Sequence, residues 1–384
     1  LSYILGVLVA LTVLYSCSQP EKETYVQRYE LVLDSLILPL DNFSGKGRLE
    51  IYGDTILYLD ELYAQATLYT LAGDSAGRKL NKGRNYAEIP VIENYLHLPD
   101  GSHLLMEGWN FYHYSKAWEY RGKFRINWSG RVGYNDLMLE PEKYVDVPDM
   151  YELSYIHSQI SMLTDSTIFF NIDTEHMRFN AFTTEGYYKE ARTFAELSLR
   201  TGRVKRVFGK KSPAYRQYAF VPHLIGQYFA SGGPHFYVGY EVDPKIYQYD
   251  RDFNPITEFG VAGIGMNTNY VESNTVETAD DTKAFHASRT TEGYYTHLWY
   301  SPERELLFRT YTTGGKYNRM KQNPKRLQIY EDRKLVADVD VPDRFRVLAY
   351  RAPYYYAEGI LDEGNSRLGI YRFQVNTLAQ SGSE

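Results

Sequence analysis

The sequence predicts an all-β chain, a β-propeller of six blades with seven as the alternative, whose ring is closed by the N- and C-terminal strands. Three observations point there. Short runs of Tyr, Val, Ile, Phe and Leu alternate with polar residues and stop at Gly, Asn, Asp or Pro, the pattern of half-buried strands. Tyrosine, with 38 copies, outnumbers glycine at 29, an aromatic excess that suits strands better than helices. A strand–turn–strand hairpin then recurs along the chain at loosely regular intervals.

The elements follow in order. Leu1–Tyr15 is an uncharged apolar stretch, too short for a bilayer-spanning helix but of the length of a secretory signal core. No Met or basic residue precedes it, so the sequence is expected to begin a few residues into a signal peptide (residues 1–16). Leu14-Tyr15-Ser16-Cys17 resembles a bacterial lipobox, with Leu three before and a small residue just before the cysteine; Tyr15 stands where a small residue is usual. Cys17 is the sole cysteine, and acylation there would make a durable anchor. Residues 17–24 are read as the lipidated cysteine and a polar tether, and residues 25–380 as the propeller domain.

Within that domain Tyr25–Leu33 has strand composition without a hairpin mate. Hairpins then align on Leu71, Tyr114, Leu199, Tyr249, Ile329 and Tyr371. These anchors fall roughly 40 to 50 residues apart, or about twice that, and a propeller blade takes about the smaller interval. Residues 127–154 and 261–293, rich in Gly, Asn, Asp, Thr and Glu, account for the two wide intervals as insertions. Leu368–Val375 ends the chain as a strand with no following partner, so it is expected to share a blade with Tyr25–Leu33 and remove the open edges.

A lipobox followed by six irregular, tyrosine-rich hairpins resembles the Bacteroidota outer-membrane lipoproteins that carry a TolB-like six-bladed propeller domain of unknown function. The resemblance covers about Tyr25 to Val375. It implies a cell-envelope protein binding sugar, peptide or protein, and brings no catalytic residues.

Composition narrows the partners. Lys and Arg total 42 against 48 Asp and Glu, a net charge of −6, which argues against neutralising nucleic-acid phosphates. Mean hydropathy of −0.46 excludes a multi-span membrane protein. The expected partners are the membrane, through the N-terminal lipid, and a glycan, peptide or envelope-protein ligand. Whether the lipid sits on the periplasmic or the surface face of the outer membrane stays open.

Candidate chemistry is sparse. Gly73-Asp74-Ser75-Ala76-Gly77 matches the G-x-S-x-G nucleophile elbow, but a strand precedes it and no apolar helix follows, so Ser75 reads as a turn residue. The nine histidines form no H-x-x-x-H or H-E-x-x-H pair, and no metal or cofactor is expected. His223, His235 and His297 lie near strand ends of neighbouring repeats, where blades could bring them to one channel. Basic runs at Arg200–Lys211 and Lys316–Arg326 read as solvated outer strands. The aromatic clusters offer more: Trp109, Tyr112 and His113, then Tyr294, Tyr295 and His297, are the candidate binding residues, with Tyr354–Tyr356 as a third aromatic group. Tyr and Trp serve both recognition and blade-to-blade packing.

The function expected is a non-enzymatic binding or scaffold module. The alternative is a propeller hydrolase or lyase acting on glycans or peptides. Convergence of Asp, Glu and His at a central pocket would favour the enzyme, and a charge-poor aromatic mouth the binder.

Overall fold

Six antiparallel sheets account for all the described strands. The computed structural model describes residues 27–378 except 41, 81, 84–86, 129–131, 155–157, 175, 274–277, 316–322 and 363–366. Cys17, the signal segment and the tether therefore lie outside the described residues. In chain order the first blade runs from Gly47–Tyr52 to Ser75–Lys79 and the second from Asn94–His97 to Tyr120–Arg125. In the third blade, Glu152–Leu153 and Ile160–Thr164 both pair with Thr167–Asp173 before the sheet continues to Val204–Phe208. The fourth runs from Gln227–Gly232 to Pro255–Phe259, and the fifth from Tyr294–Ser301 to Lys334–Val341.

The sixth blade closes the ring. Arg346–Arg351, Tyr354–Asp362 and Arg367–Thr377 supply three strands, and Tyr29–Leu38 from the other end of the chain supplies the outermost. The last pair runs in unbroken antiparallel register from Tyr29 opposite Thr377 to Leu38 opposite Leu368. The terminal strands thus share a blade as expected, with the N-terminal strand beginning and ending later than Tyr25–Leu33. Tyr29 and Leu31 pack toward the fifth blade, whereas Leu36 and Leu38 pack toward the first. One strand therefore joins both neighbours.

Aromatic rings fill the seams between blades. Phe169 of the third blade has Phe229 and Phe236 of the fourth at 4.4 and 5.1 Å. Between the fifth and sixth, Tyr355 lies 5.0 Å from Phe308 across the seam and 5.2 Å from Phe373 of its own blade. Ring pairs at these distances and tilts gain beyond the area they bury. Tyrosines such as Tyr355 share in this packing.

The two long intervals are insertions. Residues 134–150 hold a short helix, Tyr134–Leu139, and two 3₁₀ turns. The stretch before the fifth blade holds the helix Thr278–Thr291. Ser75 opens the outermost strand of the first blade, exposed and opposite Tyr69, which is the geometry of a hairpin rather than of a nucleophile elbow. Three basic residues depart from the solvated reading: Lys325 borders the channel cavity, Arg326 is largely buried and paired with Asp338 at 2.8 Å, and Lys211 is the third; residues 316–322 lie outside the described residues. Lys211 is buried, its Nζ donating to the Ile225 carbonyl at 2.7 Å and Gln227 Oε1 at 2.8 Å.

Candidate functional site: the mouth of the central channel

The innermost strand of each blade presents a backbone edge with no further strand to pair with. Hydrogen bonds, most of them involving side chains, bridge these edges around the ring. Arg48 of the first blade donates to Asn94 Oδ1 and to the Glu93 carbonyl, both at 2.7 Å. Asn94 donates in turn to the Ser158 carbonyl and hydroxyl at 2.8 Å. Gln159 Oε1 accepts the Phe229 amide at 3.0 Å, and the Tyr295 amide donates to the Glu241 carbonyl at 3.0 Å. His297 meets the Val347 carbonyl at 3.0 Å, and Glu358 accepts the Leu49 amide at 2.9 Å. Every seam thus carries at least one polar cross-link.

Inside this belt lie two overlapping cavities of about 360 and 460 Å³. Both contain Arg48, Glu61, Glu93, Thr296, His297 and Arg346. The first extends to Lys325, Arg344 and Glu358, and the second to Trp109, Leu153, Gln159 and Tyr228. All six blades therefore contribute to one recess. Its size falls in the range of small-molecule sites, about 300–1,000 Å³.

Local backbone irregularity shapes the wall. The register of Tyr294–Ser301 slips between Tyr295 and His297, leaving Thr296 as an extra residue against its partner strand. In a regular strand Thr296 and His297 would point to opposite faces. The bulge lets both border the recess, and bulges commonly re-aim side chains beside functional sites.

The electrostatics are mixed and largely internally satisfied. Arg346 pairs with Glu358 at 2.9 Å. Burial by itself would lower the pKa of Arg346, but Glu358 and Glu50 outweigh it and raise the pKa. Glu93 Oε2 accepts the Gly108 amide at 2.7 Å. Since a carbonyl can only accept, His297 Nε2 carries the proton toward Val347. Burial, with the Arg346 charge adding to it, pushes the His297 pKa down to about 3. The imidazole is neutral at physiological pH.

A pH dependence follows. His103, buried and stacked on Trp118 at 3.9 Å, is likewise pushed down to about 4, mainly by burial. Below about pH 6.5 the unfolded chain binds protons at both sites that the folded chain refuses. Their contribution to stability is complete above pH 6.5 and is lost as pH falls toward 4 and 3. Urea unfolding between pH 7 and pH 5, where ordinary carboxylates stay largely ionised, should show stability falling by about 1 kcal/mol per unit on average for each histidine, approaching about 1.4 kcal/mol per unit only below pH 6. His97, His113 and His176, also lowered mainly by burial, add to the total, so His103→Asn should remove one histidine's share of the slope; an unchanged slope would refute the assignment.

The structure disperses the sequence candidates. Trp109 and His297 border the recess. Tyr112 is buried in the seam between the first two blades, and His113 meets Ser102 Oγ at 2.9 Å. His223 is buried against Phe182 and Phe285, while His235 sits at the hairpin between the first two strands of the fourth blade. Tyr294 and Tyr295 lie under the guanidinium groups of Arg289 and Arg309, at 4.5 and 3.9 Å. Of the three channel histidines expected, only His297 reaches the recess.

Fold and site together define a six-bladed propeller with a charged recess at one mouth of its channel. A member of the DUF4221 family from Bacteroides vulgatus superposes with a TM-score of 0.67 at 12% identity, over 92% of this chain and 99% of that one. A Bacteroides fragilis protein, provisionally named as exported, gives 0.53 at 10% identity over 91% and 96%. At such identities the likeness is one of fold. No protein-family model matches the sequence, and no curated protein matches it.

Proposed function

We propose that the protein is a cell-envelope binding module, held to the membrane by lipid on Cys17, whose ligand seats in the channel recess. The recess carries this reading: it is enclosed by all six blades, of ligand size, and faced by both charged groups and the Trp109 and Tyr228 rings. Binding is favoured over catalysis because groups a hydrolase or lyase would use are engaged in holding the ring. Glu358 is tied to Arg346 and the Leu49 amide, Glu93 to the Gly108 amide, and His297 to the Val347 carbonyl. A glycan or peptide fragment fits the mixture of hydrogen-bonding groups and rings.

The envelope assignment draws on the apolar leader, the lipobox-like Leu14–Cys17 and the fold shared with a protein provisionally named as exported. An outer-membrane location is expected because Ser18, not Asp, follows the cysteine. Metabolic labelling with a fatty-acid analogue should tag the protein, and Cys17→Ala should abolish the tag. Label persisting in the variant would defeat the anchor.

For the recess, Thr296→Trp should fill the space with little change in the fold. Wild-type protein screened against envelope glycan and peptide fragments should retain a subset that the variant loses by tenfold or more. Retention of every ligand by the variant would place binding elsewhere.

A further inference from the structure

We propose that the recess holds an anionic subsite, formed by Lys325 and Arg344 at its fifth- and sixth-blade side, that takes a carboxylate or phosphate group of the ligand. This rests on the recess being the binding site and adds the chemistry it selects.

Charges in the recess sort into two kinds. Arg48 spends its guanidinium on Asn94 and the Glu93 carbonyl, and Arg346 is paired with Glu358. These cations build the ring. The side chains of Lys325 and Arg344 border the same cavity without a hydrogen bond or an ion pair to any described residue. The carboxylate that acts on Lys325 is Asp343, next to Arg344 in the chain and exposed to solvent, whereas Arg344 and Arg289 act on it as like charges. Burial is the larger influence and lowers the Lys325 pKa.

Lys325 is half-buried and Arg344 exposed; an ammonium partly withdrawn from water without a partner recovers the lost hydration only when one binds. A ligand anion supplies that partner. Arg344 can present a planar fork of donors to a carboxylate or phosphate, and Lys325 a point charge beside it. Glu61, which acts on Arg48, and Glu93 line the same cavity. An anion is therefore drawn to Lys325 and Arg344 and kept from these carboxylates, which orients the ligand as well as binding it.

The full-length protein can be titrated calorimetrically with inorganic phosphate, with galacturonate and with neutral galactose, at fixed ionic strength. Saturable binding of phosphate or galacturonate at least tenfold tighter than of galactose is expected, and the tighter of the two identifies the group recognised. Lys325→Gln and Arg344→Gln should each weaken it tenfold or more. Lys325→Arg, which keeps the charge, and Lys334→Gln on an outer strand should not. Circular dichroism verifies that the variants fold. Equal affinity for the charged and neutral sugars, no anion binding, or anion binding indifferent to both substitutions would overturn the subsite. The binding-module reading would survive that result if a neutral fragment still bound and was lost in Thr296→Trp; it fails separately if no fragment binds at all.

Discussion

Deleting residues 27–38 should abolish cooperative folding of the whole ring. The lost strand provides the antiparallel ladder to Arg367–Thr377, from Tyr29 opposite Thr377 to Leu38 opposite Leu368. It also provides polar ties across the seam: the Arg28 amide to the Val336 carbonyl at 2.7 Å, and the Tyr29 hydroxyl to Glu331 at 3.0 Å. Removing it uncovers an unpaired edge and the apolar surfaces under Tyr29, Leu31, Leu36 and Leu38. Burying a single leucine side chain is worth about 1.5–3 kcal/mol, and whole domains are stable by only about 5–15 kcal/mol. Several such losses together exceed that margin. Two point variants separate closure from a general intolerance of truncation. Leu38, buried to 2%, should cost about 2–5 kcal/mol as Leu38→Ala. Val32, half exposed in the same strand, should cost about 0.5 kcal/mol or less as Val32→Ala. Equal costs, or a truncated protein melting like the intact one, would show that this strand does not hold the ring.

Ring closure was legible because terminal strands without local partners must find one another. Their boundaries were less so. Asp34-Ser35 interrupts the apolar alternation and reads as the end of a strand, yet the strand continues to Leu38. Asp34 is accommodated there by Arg372 at 2.7 Å, from the strand opposite, which no local pattern reveals. The hairpin anchors behaved similarly. Tyr114, Tyr249, Ile329 and Tyr371 all fall in the third strand of a blade, and Leu71 and Leu199 immediately after one. The repeat visible in the sequence is thus the outer hairpin, where alternation between a buried and a solvated face is strongest.

The site lies on the inner strands, where that alternation fades. Arg48, Glu93, Thr296, Lys325, Arg344 and Arg346 come from four different blades or their approaches, and no two from different blades form a local motif. The signal that could have found them is positional: a polar or charged residue entering each innermost strand, such as Arg48, Asn94, Gln227 and Arg346. Reading it requires knowing which strand is innermost. Trp109 and His297 were reachable because an aromatic or a histidine stands out singly. Tyr112, Tyr294 and Tyr295 stood out for the same reason, yet they fill seams. Composition does not separate a ring that meets a ligand from one that meets the next blade.

Arg289→Met should lower stability by about 3–5 kcal/mol, the cost of stranding a buried charge. Arg289 comes from the helix Thr278–Thr291 inserted before the fifth blade, and its two terminal nitrogens both engage Glu241, which is fully buried. Glu241 also accepts the Gly226 amide at 2.9 Å and the Tyr228 hydroxyl at 3.1 Å. Without the guanidinium, the carboxylate would keep its neutral donors but lose the cation bonded to it, leaving Lys211 to act on it electrostatically, in a site that water does not reach. Replacing both partners, Glu241→Gln with Arg289→Met, removes the charge while an amide oxygen still accepts from Gly226 and Tyr228. Most of the loss should then be recovered, and a double-mutant cycle should return a coupling of about 2 kcal/mol or more. Additive effects would mean that the pair contributes nothing as a pair. The cycle also tests how the insertion bears on the site, because Tyr228 is part of the recess wall and its hydroxyl is held by Glu241. Arg289→Met should therefore weaken fragment binding in the recess at temperatures where the variant remains folded, and the double variant should restore it. If binding is untouched while stability falls, the inserted helix braces the fourth and fifth blades without positioning the wall.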